Sequence, residues 1–262
     1  MTYESMTQFS TLGILLRRVD FSDYDLIITF FTLDRGKISV LAKAAKKSTK
    51  RFAGILELFS VLEIVCSQKA ARRGLPILQE ATMKQPFSKI REDIKKTAYA
   101  SYWAELINEW VEGGAKNAGL YKLFLSVLNE LDLNIISPEV LSILFQMRFM
   151  ALSGLAPGLA RCGVCGRGAE EMSSKQIGFD LKRGGLVCAR CQTPTGARLR
   201  LSKGAIKELL WIAKGDIAKA KRMRFTRQGV KESNELLEAF VPYHLGKEPR
   251  SLKILRQLRA PT

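Results

Sequence analysis

The fold of this 262-residue chain is decided by the stretch DLIITFFTLDRGKISVLA, residues 25–42. Asp25 to Thr32 is a short apolar run rich in Ile, Thr and Phe, which favours a buried strand over a helix. An Asp, an Arg and a Gly follow within residues 33–36, and this composition is typical of a hairpin turn. Lys37 to Ala42 then alternates with a period of two. The stretch therefore predicts two adjacent strands, the second with an exposed basic face that begins at Lys37.

The flanking sequence predicts three more short strands. Thr11 to Val19 alternates before the turn signal of residues 20–23, and Leu58 to Cys66 and Pro76 to Ala81 follow a long loop. Five short strands in about 80 residues, with the long loop before the fourth, fit a small closed barrel of the OB type. An SH3-like barrel fits the pattern of strands nearly as well.

The hydrophobic period changes to that of a helix near Lys89. Tyr99, Tyr102 and Trp103 belong to an apolar stripe on the first helix, and we expect them in the core because residues 81–160 carry no net charge. The predicted helices span residues 89–112, 120–131, 138–153, 202–213, 226–243 and 251–258. The fold class is therefore α+β, with the barrel followed by an all-α domain.

Two C-x2-C pairs interrupt the helical part of the sequence: Cys162 with Cys165, and Cys188 with Cys191. Two such turns can place four thiolates tetrahedrally around Zn²⁺, with no position left for a substrate. Residues 178–180 and 185–188 between them predict paired strands, so we expect a ribbon held together by one structural zinc ion per chain. A disulfide, a redox pair and an iron–sulfur cluster are the alternatives. Cys66, the fifth cysteine, is expected to be buried in a strand.

These patterns predict four segments. They are an OB-fold DNA-binding domain at 1–82, the first part of a helical domain at 83–160, a four-cysteine zinc-ribbon insertion at 161–196, and the basic C-terminal part of the helical domain at 197–262.

The charge of the chain is strongly positive and unevenly distributed. The 42 Lys and Arg exceed the 25 Asp and Glu by 17, and residues 161–262 alone hold 22 of the basic and 9 of the acidic residues. From Arg35 to Ala53 there are seven basic residues and no acidic one. Such an excess favours a polyanionic partner, and nucleic acid is the commonest one.

The sequence has few of the groups that enzymes use. His244 is the single histidine, and no phosphate-binding loop, G-x-S-x-G or H-E-x-x-H motif occurs. Asp20, Asp23 and Asp25 are the only close acidic cluster, and a turn explains them without a metal ion. We therefore expect a binding protein rather than an enzyme. With no transmembrane run and no signal peptide, we expect it in the cytoplasm.

In their order along the chain, these parts resemble the bacterial RecO family of recombination mediators. The resemblance covers nearly the whole chain. It is carried by Gly13–Arg18, Asp23–Thr32, Gly36–Lys43, the basic residues within 46–51, the four cysteines and residues 244–255. The family often has Gly where Ala44 stands here, in the turn after the third strand. This departure could change the backbone of the loop, but it leaves the basic residues in place.

The resemblance implies an OB-fold that binds single- and double-stranded DNA and a helical domain that carries the zinc ribbon. It implies that the protein anneals complementary strands, including strands coated by the single-stranded DNA-binding protein SSB. It also implies that the protein contacts the acidic C-terminal tail of SSB and, with RecR, helps RecA load onto SSB-coated DNA. Such a protein would be associated with the bacterial nucleoid.

Annealing brings two polyanions together, so it needs cationic surface for both backbones. On the barrel, the candidate DNA-binding residues are Lys37, Lys43, Lys46, Lys47, Lys50 and Arg51, with Arg17 and Arg18 from the first strand. In the C-terminal third they are Lys219, Lys221, Arg222, Arg224 and Arg227. An RNA-binding OB and zinc-ribbon module and a nuclease with an unrecognised metal site are the alternative functions.

Overall fold

A computed structural model describes residues 6–69, 74–193, 199–214 and 224–259. The chain divides into two compact units, Met1–Leu128 and Asn129–Thr262, each of which is described by itself. The boundary between them falls within a helix. The four predicted segments remain a prediction.

The first unit begins with a closed five-stranded barrel. Its strands are β1 (Met6–Asp20), β2 (Leu26–Thr32), β3 (Gly36–Ala42), β4 (Val61–Lys69) and β5 (Ile77–Gln85). They are ordered β1-β2-β3-β5-β4, and β4 closes the ring by pairing with β1. Neighbours are antiparallel except β3 and β5, which pair in parallel where Leu41 meets Ile77. The predicted OB-type barrel is confirmed.

Two strands start several residues away from the expected positions. β1 begins at Met6, because its first half pairs with β4 alone and its polar residues lie on the exposed rim. β4 begins at Val61 rather than Leu58, because Phe59 has a left-handed backbone with φ of 69° that cannot continue a strand. The sequence pattern did not reveal this break in the strand, because the Phe59 side chain is buried like those of the strand residues.

The barrel interior is apolar and enclosed. Its core is formed by the inward residues of the strands together with two residues of the loop between β3 and β4, Phe52 and Leu56. Cys66 is buried in this core as predicted, and burial raises the pKa of its thiol to about 12. Burying these side chains stabilises the barrel by about 25 cal/mol for each Å² of apolar surface removed from water.

Helices complete the first unit: α1 (Ser88–Arg91), α2 (Ile94–Trp110) and the first part of α3 (Ala118–Leu133). The Asp93 carboxylate caps α2 by accepting a hydrogen bond of 3.0 Å from the backbone N–H of Lys96. The aromatic stripe of Tyr99, Tyr102 and Trp103 is completely buried, so its prediction as core is confirmed.

The described residues of the second unit form the end of α3, α4 (Pro138–Leu152), a four-stranded sheet and three more helices. The strands are β6 (Gly158–Cys162), β7 (Gln176–Asp180), β8 (Gly185–Val187) and β9 (Leu199–Ser202), in the order β6-β8-β7-β9. The helices are α5 (Lys203–Lys214), α6 (Arg227–Leu245) and α7 (Arg250–Arg259). The predicted pairing of residues 178–180 with 185–187 is confirmed, whereas β6 and β9 were not predicted.

Hydroxyl side chains cap the N-termini of three of these helices. Ser137, Ser202 and Thr226 accept hydrogen bonds from backbone N–H groups in the first turns of α4, α5 and α6. None of the described helices is long and apolar enough to cross a membrane.

Candidate nucleic-acid interface and metal centre

The basic loop, residues 43–60 between β3 and β4, is anchored to the barrel. Phe52 and Leu56 insert into the barrel core. A 3-10 turn spans Ala45–Lys47, and the Ser48 hydroxyl after it accepts hydrogen bonds from the N–H groups of Arg51 and Phe52, at 3.1 and 2.9 Å. The loop is therefore built around buried apolar side chains, which leaves its polar side chains at the surface.

The cations of the basic loop lie on this surface. The exposed members are Lys43, Lys46, Lys47, Lys50 and Arg51. The Lys46 ammonium contacts the β1–β2 loop, where it donates to the Ser22 carbonyl at 2.9 Å and pairs with Asp20 at 3.1 Å. The Arg51 guanidinium donates to the Lys43 carbonyl at 2.7 Å. The two loops thus form one basic surface.

The two arginines near the end of β1 have different surroundings. Arg18 donates a hydrogen bond of 3.1 Å to the Leu56 carbonyl and lies 3.6 Å from the Glu57 carboxylate. Arg17 is exposed and pairs across the sheet with Thr29, which pairs in turn with Ser39. Directly opposed residues share a face, so Arg17 lies on the outer face of β1, β2 and β3.

Lys37 does not have the exposed position that the sequence predicted. It is only partly exposed, and its ammonium donates a hydrogen bond to the Asn108 carbonyl of α2. Burial lowers the pKa of Lys37, although the Glu109 carboxylate partly opposes this shift. Gly36, with φ of 65°, allows the α2–α3 connection to approach this end of β3 at Ala115. The predicted exposed basic face is therefore wrong at this position.

The four predicted ligand cysteines converge in the second unit. The Sγ atoms of Cys162, Cys165, Cys188 and Cys191 all lie within 4.8 Å of one another. Tetrahedral coordination at about 2.3 Å from zinc to sulfur places neighbouring sulfurs about 3.8 Å apart, and Cys165 Sγ lies 3.8 Å from Cys188 Sγ. A disulfide needs about 2.05 Å, and all four cysteines are free. The donor set fits a closed metal site.

Backbone hydrogen bonds surround these sulfurs. Burial opposes ionisation of Cys162, but backbone N–H groups at Cys165 and Cys188 outweigh it and lower the pKa of Cys162 to about 6. The second turn is closed by hydrogen bonds of 2.9 and 3.0 Å from the N–H groups of Cys191 and Gln192 to the Cys188 carbonyl. Such turns present thiolates to a cation.

Comparison with known families matches both parts of the chain. A profile described as Recombination protein O N terminal matches residues 6–87, which cover the barrel and the basic loop, and one described as Recombination protein O C terminal matches residues 91–253, which cover the four cysteines. The chain belongs to the RecO family.

Individual relatives of this RecO-family chain align over almost its full length. The DNA repair protein RecO of Desulfatibacillum aliphaticivorans is 45% identical over 254 residues, covering 97% of this chain and 98% of the relative. The protein of the same name in Desulfosudis oleivorans is 46% identical over 258 residues, covering 97% and 99%. That of Syntrophus aciditrophicus is 34% identical, covering 95% of each chain.

The C-terminal basic cluster of this RecO-family chain is only partly described. Lys219, Lys221 and Arg222 lie outside the described residues. Arg224 and Arg227 are exposed, just before α6 and at its first position.

Sequence reasoning missed the aromatic residues beside the basic loop. Phe21 and Tyr24 of the β1–β2 loop are exposed, and the Lys47 ammonium lies 3.5 Å from the centroid of the Tyr24 ring. Arg35 likewise lies 4.0 Å from the centroid of the Phe9 ring. Aromatic residues near a charge run were the available signal, but the sequence reasoning sought stacking residues only in the helical stripe.

Proposed function

We propose that this RecO-family chain is a DNA-binding recombination mediator that anneals complementary single strands. In this role it acts with RecR to assist RecA loading onto SSB-coated single-stranded DNA, and it does so without catalysing a reaction of its own. The observation that carries the proposal is the basic loop, whose exposed cations are held on the barrel by Phe52 and Leu56.

The chemistry of this surface suits a phosphate backbone rather than a base sequence. Lysine and arginine side chains neutralise phosphates and release condensed counterions, so affinity falls as salt rises, by a slope of about 0.9 per phosphate on duplex and about 0.7 on single strands. Contacts of this kind position DNA without reading its sequence. An annealing protein needs this property because it must accept any pair of strands.

The C-terminal basic residues supply a second cationic region in the proposed role. Arg224 and Arg227 are its exposed members among the described residues. Neutralising the phosphates of both strands lowers the electrostatic repulsion that opposes the approach of one strand to the other. The proposal assigns one strand to the barrel and the other to this region.

For the four cysteines we propose a structural zinc ion. Four thiolates complete its coordination sphere, so its chemistry is to hold the two cysteine turns together rather than to activate water or substrate. The ribbon sheet, formed by β6 to β9, is short, and β8 has only three residues. A metal bound by the two cysteine turns would add a cross-link to so short a sheet.

The proposal is tested by strand annealing without any nucleoside triphosphate. Two complementary oligonucleotides are mixed, one of them first coated with SSB, and duplex formation is followed by fluorescence energy transfer. We expect the protein to accelerate annealing at low salt and to lose this effect at high salt. Tight DNA binding without acceleration would contradict the annealing role and favour the RNA-binding alternative.

A further inference from the structure

The β1–β2 loop displays an aromatic ring within the basic surface. Phe21 is 60% exposed, a high value for a large apolar side chain, and Tyr24 three residues later is 46% exposed. Both lie in the short connection between Asp20 and Leu26, which faces the 3-10 turn of the basic loop. A single exposed apolar side chain is ordinary, but a ring beside the lysines of the basic loop lies where a nucleic-acid base can stack on it.

This loop is held in one conformation from both sides. The Phe21 N–H donates to the Asp25 carbonyl at 3.1 Å, and the Lys46 N–H donates to the Tyr24 carbonyl at 3.0 Å. The Lys46 ammonium holds the residues on either side of Phe21 through the Ser22 carbonyl and the Asp20 carboxylate. The backbone that carries Phe21 is therefore held beside the Lys46 ammonium.

The acidic residues of the loop do not cancel the positive charge around it. Asp20 is paired with Lys46, and Asp25 accepts a hydrogen bond of 2.7 Å from the Ala44 N–H. Residues 17–25 and 43–60 together hold four carboxylates, at positions 20, 23, 25 and 57, and seven cations, which are Arg17, Arg18, Lys43, Lys46, Lys47, Lys50 and Arg51. The surface that carries the ring is net positive, so its partner is an anion that also offers a flat apolar face.

We propose that Phe21 is a stacking platform for a base of single-stranded DNA, with the neighbouring lysines on the adjacent phosphates. The inference rests on the proposed function and adds a preference for single strands. Base–aromatic stacking requires a base whose face is free, and a duplex keeps those faces inside its own stack. A stacked base also keeps its pairing edge exposed, which is the edge that a complementary strand must reach during annealing.

Two substitutions test the platform. Phe21→Ala removes the ring, and we expect affinity for a single-stranded oligonucleotide to fall roughly tenfold while duplex affinity changes less than about twofold. Phe21→Trp keeps a stacking ring and adds a fluorophore, so it should retain single-strand affinity and be quenched by single strands but not by duplex. The signal is read as the difference from the parent protein, which has three Trp of its own.

The control is Tyr243→Ala, since Tyr243 is a 49% exposed aromatic residue outside the basic surface, on α6. It should leave both affinities unchanged. Equal losses for single strand and duplex in Phe21→Ala, no loss at all, or an unquenched Trp at position 21 would overturn the platform. So would a defect confined to SSB-coated strands, which would make Phe21 a protein contact.

Failure of this inference is distinguishable from failure of the proposed function. If the parent protein neither binds DNA nor accelerates annealing, the proposed function itself is wrong. If the parent protein does both and Phe21→Ala behaves like the parent, the stacking role alone is wrong.

Discussion

The barrel and the ribbon sheet are both small β-structures, but different forces hold them together. The barrel closes five strands around an apolar core, so each of these strands has a neighbour on both sides. The ribbon sheet has four short strands with buried side chains such as Phe179 and Leu186, and in addition two cysteine turns meet at four sulfurs. The closed apolar core of the barrel can anchor a long basic loop, whereas the stability of the short open sheet depends on cross-links.

The ribbon sheet has a second cross-link in addition to the cysteines. The Glu232 carboxylate of α6 accepts hydrogen bonds from the Ser202 N–H at 2.8 Å and the Ser202 hydroxyl at 2.7 Å. It also accepts from the side-chain amides of Gln176 and Gln228. Phe179 of β7 packs edge-on against Phe240 of α6, with ring centroids 5.6 Å apart. Polar cross-links thus accompany the burial of the sheet's apolar side chains.

The largest effect is expected at the metal site. Cys162→Ser removes one thiolate, so the protein should lose its zinc and the second unit should lose more than about 4 kcal/mol of stability. Metal content per chain and thermal unfolding measure the two losses together.

The matched control for the metal site is Cys66→Ala in the barrel. It should lower barrel stability by cavity formation but leave the metal at one per chain. If Cys162→Ser kept a full complement of zinc, the four-thiolate site would be wrong, and the contrast between the two sheets would lose its basis.

The second effect concerns the barrel's surface rather than its core. Replacing Lys46, Lys47, Lys50 and Arg51 together with Ala should weaken DNA binding by roughly ten- to a hundredfold and flatten its salt dependence. The barrel should remain folded, because Phe52 and Leu56 are untouched. Binding isotherms at several salt concentrations, with a melting curve, measure both properties.

A control variant with the same change in net charge separates direct DNA contact by the basic loop from the general electrostatic attraction of the protein. Lys84, Lys89, Lys95 and Lys122 are exposed in the first unit, outside the basic loop. Replacing these four with Ala lowers the net charge by the same amount, and we expect a smaller change in the salt slope. Equal slopes for the two variants would mean that the basic loop has no special role.

A smaller effect is expected at Glu232, the polar cross-link of the ribbon sheet. Burial opposes ionisation of this carboxyl, but the donors of Gln228, Ser202 and Gln176 outweigh it and hold its pKa below the ordinary 4.5. This stabilisation is present above about pH 4.5 and is lost as the pH falls through the lowered pKa. Glu232→Gln should cost about 1–2 kcal/mol at pH 7 and flatten the acid limb. Denaturant unfolding from pH 7 to pH 3 measures this, and an unchanged acid limb would contradict it.

The smallest effect is expected in the turn after β3. Ala44 has a left-handed backbone with φ of 54°, a conformation that costs a residue with a Cβ roughly 1–2 kcal/mol. Ala44→Gly removes that strain but adds freedom to the unfolded chain, so a net stabilisation of about 0.5–1 kcal/mol is expected. Urea unfolding of both proteins tests it, and a destabilised Gly variant would show that the turn is unstrained.

Most of the barrel could be predicted because its strands alternate and its hairpin turns have typical residues. The cysteine cluster could be predicted because spacing alone indicates a metal-binding turn. These features are local, and local sequence determines them.

The features that could not be predicted depend on residues distant in sequence. The Lys37 ammonium is partly buried because it contacts the carbonyl of Asn108, which lies 71 residues later in the chain. β9 forms because Leu199–Ser202 pairs with β7. A segment of four residues is too short for its hydrophobic alternation to predict a strand. The sequence placed Phe21 in the turn of residues 20–23, but it could not place that turn beside the basic loop, which follows only after β2 and β3.

The anchoring of Phe52 and Leu56 in the barrel core has a calorimetric consequence. A loop that folds only on meeting its partner buries new apolar surface at that moment, which gives a large negative heat-capacity change. Here the apolar residues of the loop are already buried in the free protein. Binding of a polyanion to these cations should therefore have a small heat-capacity change and a favourable entropy from released ions.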